Sequence, residues 1–305
     1  MRSYRPWIPW LLALPALVWV LVFALWPFIN TIILSFTNSR PLTGGTFVGL
    51  QNYVNLLQDD RFWNAMVTSL VYAIACVPLL TLLPLLLALL VEKQIPGITL
   101  FRTTFYFPVI ASVVVVALIW TWLFDSRGIV NEALQSIGAI SGPIPFLASR
   151  WGLILVAVIL TVWKGLGYYM VVYLAALGNV GKELHEAAAM DGAGAWRRFW
   201  SVTVPGVRGS MFLVAALITV SAIRVFTELY VLSNGTGGPG GEAMSIVMLV
   251  QQTGTGLQGR LGYSSAISVA LFFVTIGPLL LVAYLNNRGG GDAPRTKKKR
   301  ARRAA

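Results

Sequence analysis

The sequence predicts an all-α membrane protein with six transmembrane helices. Of its 305 residues, 57% are hydrophobic and only 11% are charged, whereas an average soluble domain is about 25% charged. Apolar runs at least as long as the ~20 residues that a helix needs to cross ~30 Å of hydrocarbon recur along the chain. Most charged residues lie between these runs or at the C-terminal end. A water-soluble fold of this length could not bury so much apolar surface.

The predicted spans are the runs that are uncharged or nearly so. They are Trp7 to Phe36, Asn64 to Val91, Thr104 to Phe124, Trp151 to Leu177, Met211 to Leu232, and Leu261 to Asn286. The first run continues well beyond the apolar core of a signal peptide, so we expect it to remain as a membrane anchor. Because proline lacks a backbone N–H, kinks are expected at the five prolines within spans. These are Pro15, Pro27, Pro78, Pro84 and Pro278.

The distribution of lysine and arginine predicts the orientation, since positively charged loops are retained in the cytoplasm. An even number of spans places both termini on one side. With the N-terminus inside, sixteen of the 23 basic residues lie in cytoplasmic segments and five in external loops. The remaining two, Lys164 and Arg224, lie within spans. We therefore predict a multi-pass membrane protein with cytoplasmic N- and C-termini.

The chain is expected to divide into three parts. Residues 1–65 form the first span and the first external loop, residues 66–287 a core of five spans, and residues 288–305 a disordered cytoplasmic tail. Eight of the 23 basic residues lie in this tail, which anionic lipid attracts by ~1 kcal/mol per basic residue. A nucleic-acid-binding protein concentrates basic residues on one folded face, so no nucleic-acid partner is predicted. Cys76 lies in an apolar run and is interpreted as a packing residue.

The most informative segment is the loop between the fourth and fifth spans, GKELHEAAAMDGAGAWRRFWSVTVPG, at residues 181–206. Strong helix formers predict a helix from Lys182 to Met190, and Asp191-Gly192 predicts its end because glycine adopts the left-handed conformation readily. A second short helix is expected to follow. It places Trp196, Phe199 and Trp200 on one face and stops near Pro205. Two short helices at an angle form a projection that fits a groove on a partner.

This loop resembles the EAA motif of ABC importer permeases, which consists of EAA, three residues, G, nine residues and I-x-L-P. The matching residues are Glu186, Ala187, Ala188, Gly192, Val202, Val204 and Pro205. The two valines are conservative departures from Ile and Leu. The resemblance implies that residues 181–206, hereafter the EAA loop, contain a coupling helix that docks on a separate ATPase subunit. Glu186 then faces the ATPase, and Asp191 and Gly192 form the turn.

Other segments are similar to permeases of the maltose and glycerol-phosphate type. They are FVGLQNYVNLLQDDRFWNAMVTSLVY at 47–72, FYFPVIASVVVVALIWTWLFDSRGIVNEAL at 105–134, VWKGLGYYMVVYLAAL at 162–177 and VFTELYVLSNGTGGPG at 225–240. The resemblance implies the first of two non-identical permease subunits, the maltose F-type partner, and a sugar as the substrate. The implied partners are a second homologous permease, two ATPase subunits or a homodimeric ATPase, an external solute-binding protein and membrane lipid. ATP and Mg²⁺ are then used by the ATPase, and this chain binds no cofactor.

Three charged residues lie within predicted spans, where a central Lys or Arg costs ~2.5–3.5 kcal/mol. Lys164 is midway along the fourth span, and Arg224 and Glu228 are four residues apart on the fifth. On one continuous helix such a pair shares a face, so mutual neutralisation in the protein interior is one interpretation. The other is a polar lining of the translocation pathway, in which aromatic side chains contact a sugar ring. The aromatic candidates are Trp163, Tyr168, Tyr169 and Tyr230.

Several functions are disfavoured by what the sequence lacks. No G-x-x-x-x-G-K-[ST] phosphate loop is present, so the chain itself is not expected to bind ATP or to act as an enzyme. His185 is the only histidine and has no second candidate ligand beside it, which argues against a metal site. An ion-coupled secondary transporter would show inverted repeats and midspan acidic residues, and a membrane enzyme would show a polar catalytic cluster. Glycerol phosphate or another small polar solute remains the alternative substrate.

Overall fold

The computed structural model of the chain describes residues 7–289, which fold mainly into α-helices. The α-helices are α1 (Ile8–Val20), α2 (Trp26–Ser35), α3 (Gln51–Leu57), α4 (Asp60–Val91), α5 (Ile98–Ile110), α6 (Val113–Leu123), α7 (Ile129–Ser136), α8 (Arg150–Leu177), α9 (Lys182–Met190), α10 (Ala195–Arg198), α11 (Val204–Ile223), α12 (Thr227–Leu232), α13 (Ile246–Gly254) and α14 (Leu261–Gly289). Within residues 7–289, five helical stretches are long and apolar enough to cross a membrane, and α5 with α6 makes a sixth when the bent pair is counted as one span. The predicted all-α fold with six spans is confirmed.

Two π-helical turns join helices into longer spans, and each ends two residues before a proline. Residues 21–25 join α1 to α2 ahead of Pro27, and residues 199–203 join α10 to α11 ahead of Pro205. Proline cannot donate the normal i to i−4 hydrogen bond, and its ring clashes with that carbonyl. The wider π turn instead forms i to i−5 bonds, from Trp26 to Leu21 and from Val204 to Phe199. The helix therefore continues through the proline.

The predicted stop near Pro205 is consequently wrong, and so are the bounds of the fifth span. The helical stretch runs from Ala195 to Ile223 and ends before Leu232. The chain then leaves the helical conformation at Phe226 (φ −137°, ψ −63°), and α12 begins at Thr227. The packing of α12 against α6 stabilises this break. Three residues, Arg224, Val225 and Phe226, lie between the two helices, and Val225 and Phe226 are moderate helix formers only.

The third span is also broken. Helices α5 and α6 form an angle of 95° at Ala111 and Ser112, where the prediction was one continuous span from Thr104 to Phe124. Ala111 is extended (φ −66°, ψ 140°), and Ser112 precedes the first turn of α6. Pro108 weakens the last turn of α5 because it cannot donate a backbone hydrogen bond. Ser112 occupies the N-cap position of α6, where serine is a preferred residue, but its side chain makes no capping hydrogen bond.

The chain forms two compact units that alternate along the sequence. Among the described residues, the first contains residues 7–72, 112–161 and 223–274, and the second contains residues 73–111, 162–222 and 275–289. The loops that were predicted to be external, near residues 45, 140 and 245, all belong to the first unit, and the EAA loop belongs to the second. The division of the sequence into residues 1–65, 66–287 and 288–305 stays a prediction. The tail from residue 290 onward lies outside the described residues.

Each unit has its own apolar core. In the first unit, fully buried side chains come from α8, α12, α13 and α14, and include Leu153, Leu229, Ile246 and Ile267. The first turn of α13 is satisfied locally, since Ser245 accepts a hydrogen bond from the Met248 amide. In the second unit, the buried side chains include Cys76, Leu85, Met170, Val214 and Ile218. The interpretation of Cys76 as a packing residue is confirmed.

Candidate functional site

Helix α9 of the EAA loop extends from Lys182 to Met190, the bounds that the sequence predicts. Its end forms the hydrogen bonds of a Schellman motif. The amide of Ala193 donates to the carbonyl of Ala188 (2.9 Å), and the amide of Gly192 donates to the carbonyl of Ala189 (3.0 Å). Gly192 has φ +75°, as this cap requires at the position after the helix. The spacing between the EAA triplet and its glycine is therefore the spacing of a helix cap.

The loop exposes an apolar surface that includes three aromatic rings. The ring centroids of Trp196 and Trp200 lie 5.8 Å apart, and Phe199 stacks on Trp196 at 6.0 Å. The prediction that these three rings share one face is confirmed. Met190 is 89% exposed and Trp196 is 73% exposed, although apolar side chains of this size are usually buried. We define the exposed residues Leu184, Met190, Trp196 and Trp200 as the apolar patch of the EAA loop.

Glu186 lies on α9, four residues before Met190 of this patch, and lines a cleft of about 830 Å³ that has both charged and apolar walls. His185 and Arg198 line the same cleft, and residues 92–94 form its opposite wall. Glu186 is exposed, so its carboxylate can accept a charge-assisted hydrogen bond from a partner. The Nε atom of Arg198 is buried and has no hydrogen-bond partner among the described residues. The cleft thus combines charged groups with access from outside.

Lys164, a candidate for the pathway lining, caps the break in the third span. Its ammonium donates hydrogen bonds to the carbonyl oxygens of Pro108 (3.1 Å), Val109 (2.9 Å) and Ala111 (2.7 Å). An ammonium group has three donors, and here all three meet carbonyls that the end of α5 leaves without helical partners. A cation at this position also complements the negative end of the helix dipole. The charge has a structural role that the sequence analysis did not identify.

Glycines in α8 allow this contact. A Cβ atom on Gly167 would lie 2.2 Å from the carbonyl oxygen of Phe105, so the backbones of α8 and α5 approach each other more closely than any side chain permits. A Cβ atom on Gly165 would lie 2.9 Å from the flexible end of the Leu80 side chain.

A second cation caps a helix end in the same unit. Arg102 donates hydrogen bonds to the carbonyls of Val91 (2.6 Å) and Glu92 (3.1 Å) at the end of α4.

The other candidates for the pathway lie in separate elements. Trp163, Tyr168 and Tyr169 are on α8 in the second unit, with the rings of Tyr168 and Tyr169 5.1 Å apart. Tyr230 is on α12 in the first unit, where its ring stacks on Phe226 at 5.0 Å. The interpretation that Arg224 and Glu228 share a face of one helix is wrong. Arg224 follows the end of α11, whereas Glu228 lies in the first turn of α12.

Comparisons with known proteins agree with the architecture. The family model described as the inner membrane component of binding-protein-dependent transport systems matches residues 143–288. The lactose transport system permease LacF of Rhizobium radiobacter is 29% identical, over 91% of each chain. The sn-glycerol-3-phosphate transport system permease UgpA of Yersinia pestis is 31% identical, over 89% of this chain and 91% of that protein. Among solved structures, a bacterial alginate ABC transporter in complex with its alginate-bound periplasmic protein has a chain with the same fold (TM-score 0.79, 24% identity, 92% and 94% coverage).

Proposed function

This chain belongs to the binding-protein-dependent transport system inner membrane component family, and on that premise we propose that its EAA loop couples sugar import to a separate ATPase. The chain is a permease subunit of an ABC importer and contributes half of the translocation pathway. An ion-coupled carrier is excluded by this membership. The observation that supports the coupling role is the apolar patch beside Glu186. Exposed apolar surface rimmed by polar residues is characteristic of an interface with a partner.

The shape of the EAA loop suits transmission of a motion. The Schellman cap fixes the direction of the chain after α9, and the stretch from Ala195 to Ile223 is helical throughout. A displacement of the loop by a partner is therefore passed on to a membrane-spanning helix. Coupling of this kind requires an element with two states that both sites bias. We infer that closure of the ATPase dimer moves the EAA loops of the two permeases and so alternates the opening of the pathway.

A sugar is the proposed substrate, delivered by an external solute-binding protein. Lactose is the substrate in the name of one relative, and sn-glycerol 3-phosphate in the name of another, so glycerol phosphate is the second candidate. The proposed complex contains a second homologous permease and either two ATPase subunits or a homodimeric ATPase, which binds ATP and Mg²⁺. The proposed location is the bacterial plasma membrane, with both termini cytoplasmic.

Paired glutamate variants test the coupling role. Glu183 and Glu186 are both exposed on α9, so Glu183→Gln is a matched control for Glu186→Gln. Each variant is co-expressed with the neighbouring permease and ATPase genes. We expect Glu186→Gln to lower the amount of co-purified ATPase and to abolish the stimulation of ATP hydrolysis by sugar-loaded binding protein. The control is expected to keep both. Equal behaviour of the two variants would refute a specific role for Glu186.

A further inference from the structure

A cavity of about 1,150 Å³ lies within the first unit, at the end of α6. Its walls are α6, the loop that follows it, residues 147–148, and the glycine-rich segment 232–241. Ligand cavities in proteins usually measure about 300–1,000 Å³, so this one accommodates a ligand larger than a single sugar ring. We call it the glycine-loop cavity. Neither the EAA loop nor any candidate for the pathway lining contributes to it.

The cavity has an aromatic platform at one side. Leu118, Thr121 and Trp122 line it from positions i, i+3 and i+4 of α6, which form one face of a helix. Trp122 is 80% exposed. A pyranose ring presents C–H bonds on its faces, and an exposed indole ring offers the complementary apolar surface together with one N–H donor.

Polar groups converge on the same space. Asp125, Arg127 and Asn234 line the cavity. The two hydrogen bonds to the Asp125 carboxylate, from Ser126 and Arg127, both end on Oδ1. Within residues 7–289, no hydrogen bond ends on its Oδ2 or on the side-chain amide of Asn234. These groups can therefore donate to and accept from the hydroxyl groups of a sugar.

The walls of the cavity are preorganised. The side chain of buried Asn131 donates a hydrogen bond to the Asp125 carbonyl (2.9 Å) and accepts one from the Ile144 amide (2.8 Å), so it ties the loop after α6 to the segment that leads to residues 147–148. A Cβ atom on Gly128 would lie 2.4 Å from the Trp122 carbonyl, so this glycine is required for the loop to fold back over the end of α6. Asn234 has φ +51° because it follows the end of α12 in a Schellman cap, in which the Gly235 amide donates to the Tyr230 carbonyl (2.7 Å). This cap fixes the position of Asn234 at the wall of the cavity.

We propose that the glycine-loop cavity binds a neutral oligosaccharide, with Trp122 as the stacking platform and Asp125, Arg127 and Asn234 as hydrogen-bonding groups. The inference rests on the proposed function and names the class of substrate. The charges of Asp125 and Arg127 cancel, which favours an uncharged polyhydroxylated ligand over an anion such as glycerol phosphate. A site at the end of a membrane-spanning helix is suited to receive a sugar as it leaves the binding protein.

Saturation-transfer NMR on the complete transporter in lipid nanodiscs tests this assignment, with lactose, maltotriose and sn-glycerol 3-phosphate as probes. In the wild type, we expect strong saturation transfer to the ring protons of the two sugars and little transfer to the protons of sn-glycerol 3-phosphate. Trp122→Leu is expected to reduce the sugar signal by about tenfold, as truncation of a central aromatic residue does in other interfaces. Trp122→Phe should retain part of it, because the apolar face remains. Trp10→Leu, at an exposed position of α1, is the matched control and should resemble the wild type.

Three results would overturn the proposal. The first is a sugar signal of equal strength in the wild type and in Trp122→Leu. The second is the absence of a sugar signal in the wild type. The third is a glycerol phosphate signal in the wild type that is lost in Arg127→Gln. The ATPase activity of the same preparations separates this proposal from the function of the EAA loop. If Trp122→Leu keeps the coupling of hydrolysis to binding protein but Glu186→Gln loses it, the coupling role stands whatever the NMR result.

Discussion

The ammonium nitrogen of Lys164 lies 2.7 Å from the carbonyl oxygen of Ala111, the residue at which the third span breaks. Two further carbonyls, those of Pro108 and Val109, accept from the same nitrogen. A single side chain of α8 thus satisfies three backbone groups that would otherwise be exposed at membrane depth, where water does not replace a lost hydrogen bond. This contact links the position of α8 to the geometry of the break.

Replacement of Lys164 by methionine is therefore expected to destabilise the protein. The methionine keeps the length of the side chain but leaves three carbonyls without a donor, at a cost of about 2 kcal/mol. Lys164→Arg should recover part of the loss. Unfolding of the purified variants by sodium dodecyl sulfate measures the difference, with Lys93→Met in a connecting loop as the control. The structural role is refuted if Lys164→Met is as stable as Lys93→Met.

The geometry of the turn after α9 predicts that substitution of Gly192 impairs binding of the ATPase, whereas substitution of nearby Gly194 does not. Gly192 has φ +75°, whereas Gly194 has φ −65° and no atom within 4 Å of an added Cβ. Gly192→Val should therefore strain the turn by ~1–3 kcal/mol and redirect α10, and Gly194→Ala should be tolerated. Both proteins are expected to insert in the membrane. Co-purification of the ATPase should fall for Gly192→Val alone, and equal recovery from the two variants would contradict the account of the turn.

The close approach of α8 and α5 predicts that replacement of glycine by alanine lowers the stability at Gly167 but not at Gly209. Gly167→Ala brings a Cβ to within 2.2 Å of a backbone oxygen, which no side-chain rotation relieves. We expect a loss of thermal stability of about 2 kcal/mol. Gly209 lies in α11 with no atom within 4 Å of an added Cβ, so Gly209→Ala should stabilise by about 0.5–1 kcal/mol. Melting temperatures of the two variants in detergent test this, and the opposite order would contradict it.

The predicted orientation can be tested by labelling single cysteines from outside intact cells. The native Cys76 is completely buried, so the unmodified protein should give little background. Gly142→Cys should react with a membrane-impermeant maleimide, because residues near 140 are predicted to be external. Ala193→Cys, in the EAA loop, should react only after the cells are opened. Strong labelling of Ala193→Cys in intact cells, with none of Gly142→Cys, would reverse the orientation.

Helix α9 and its cap could be predicted from the sequence because they depend on neighbouring residues alone. The run of helix formers from Lys182 and the glycine at position 192 are both visible in the sequence, and the structure has the helix at the predicted bounds. The six apolar spans could be predicted for the same reason, since the length and composition of a run determine whether it can cross the membrane.

The breaks in the third and fifth spans could not be predicted in this way, because each depends on a distant part of the chain. The carbonyls at the first break are satisfied by Lys164, which is 53 residues from Ala111. The second break is stabilised by the packing of α12 on α6. Pro108 followed by Ser112 is a local signal that could have indicated the first break. Pro205 was misleading, since a π turn allows the helix to pass through it.

The proposed coupling of sugar import to ATP hydrolysis through the EAA loop can be measured as ATP-driven sugar uptake into proteoliposomes. The vesicles would contain the complete transporter, with ATP and Mg²⁺ inside and sugar-loaded binding protein outside. We predict uptake of labelled sugar that requires both ATP and binding protein, and a loss of uptake in Gly192→Val but not in Gly194→Ala. Uptake that proceeds without ATP or the ATPase subunit, or that Gly192→Val supports at the wild-type rate, would contradict the account.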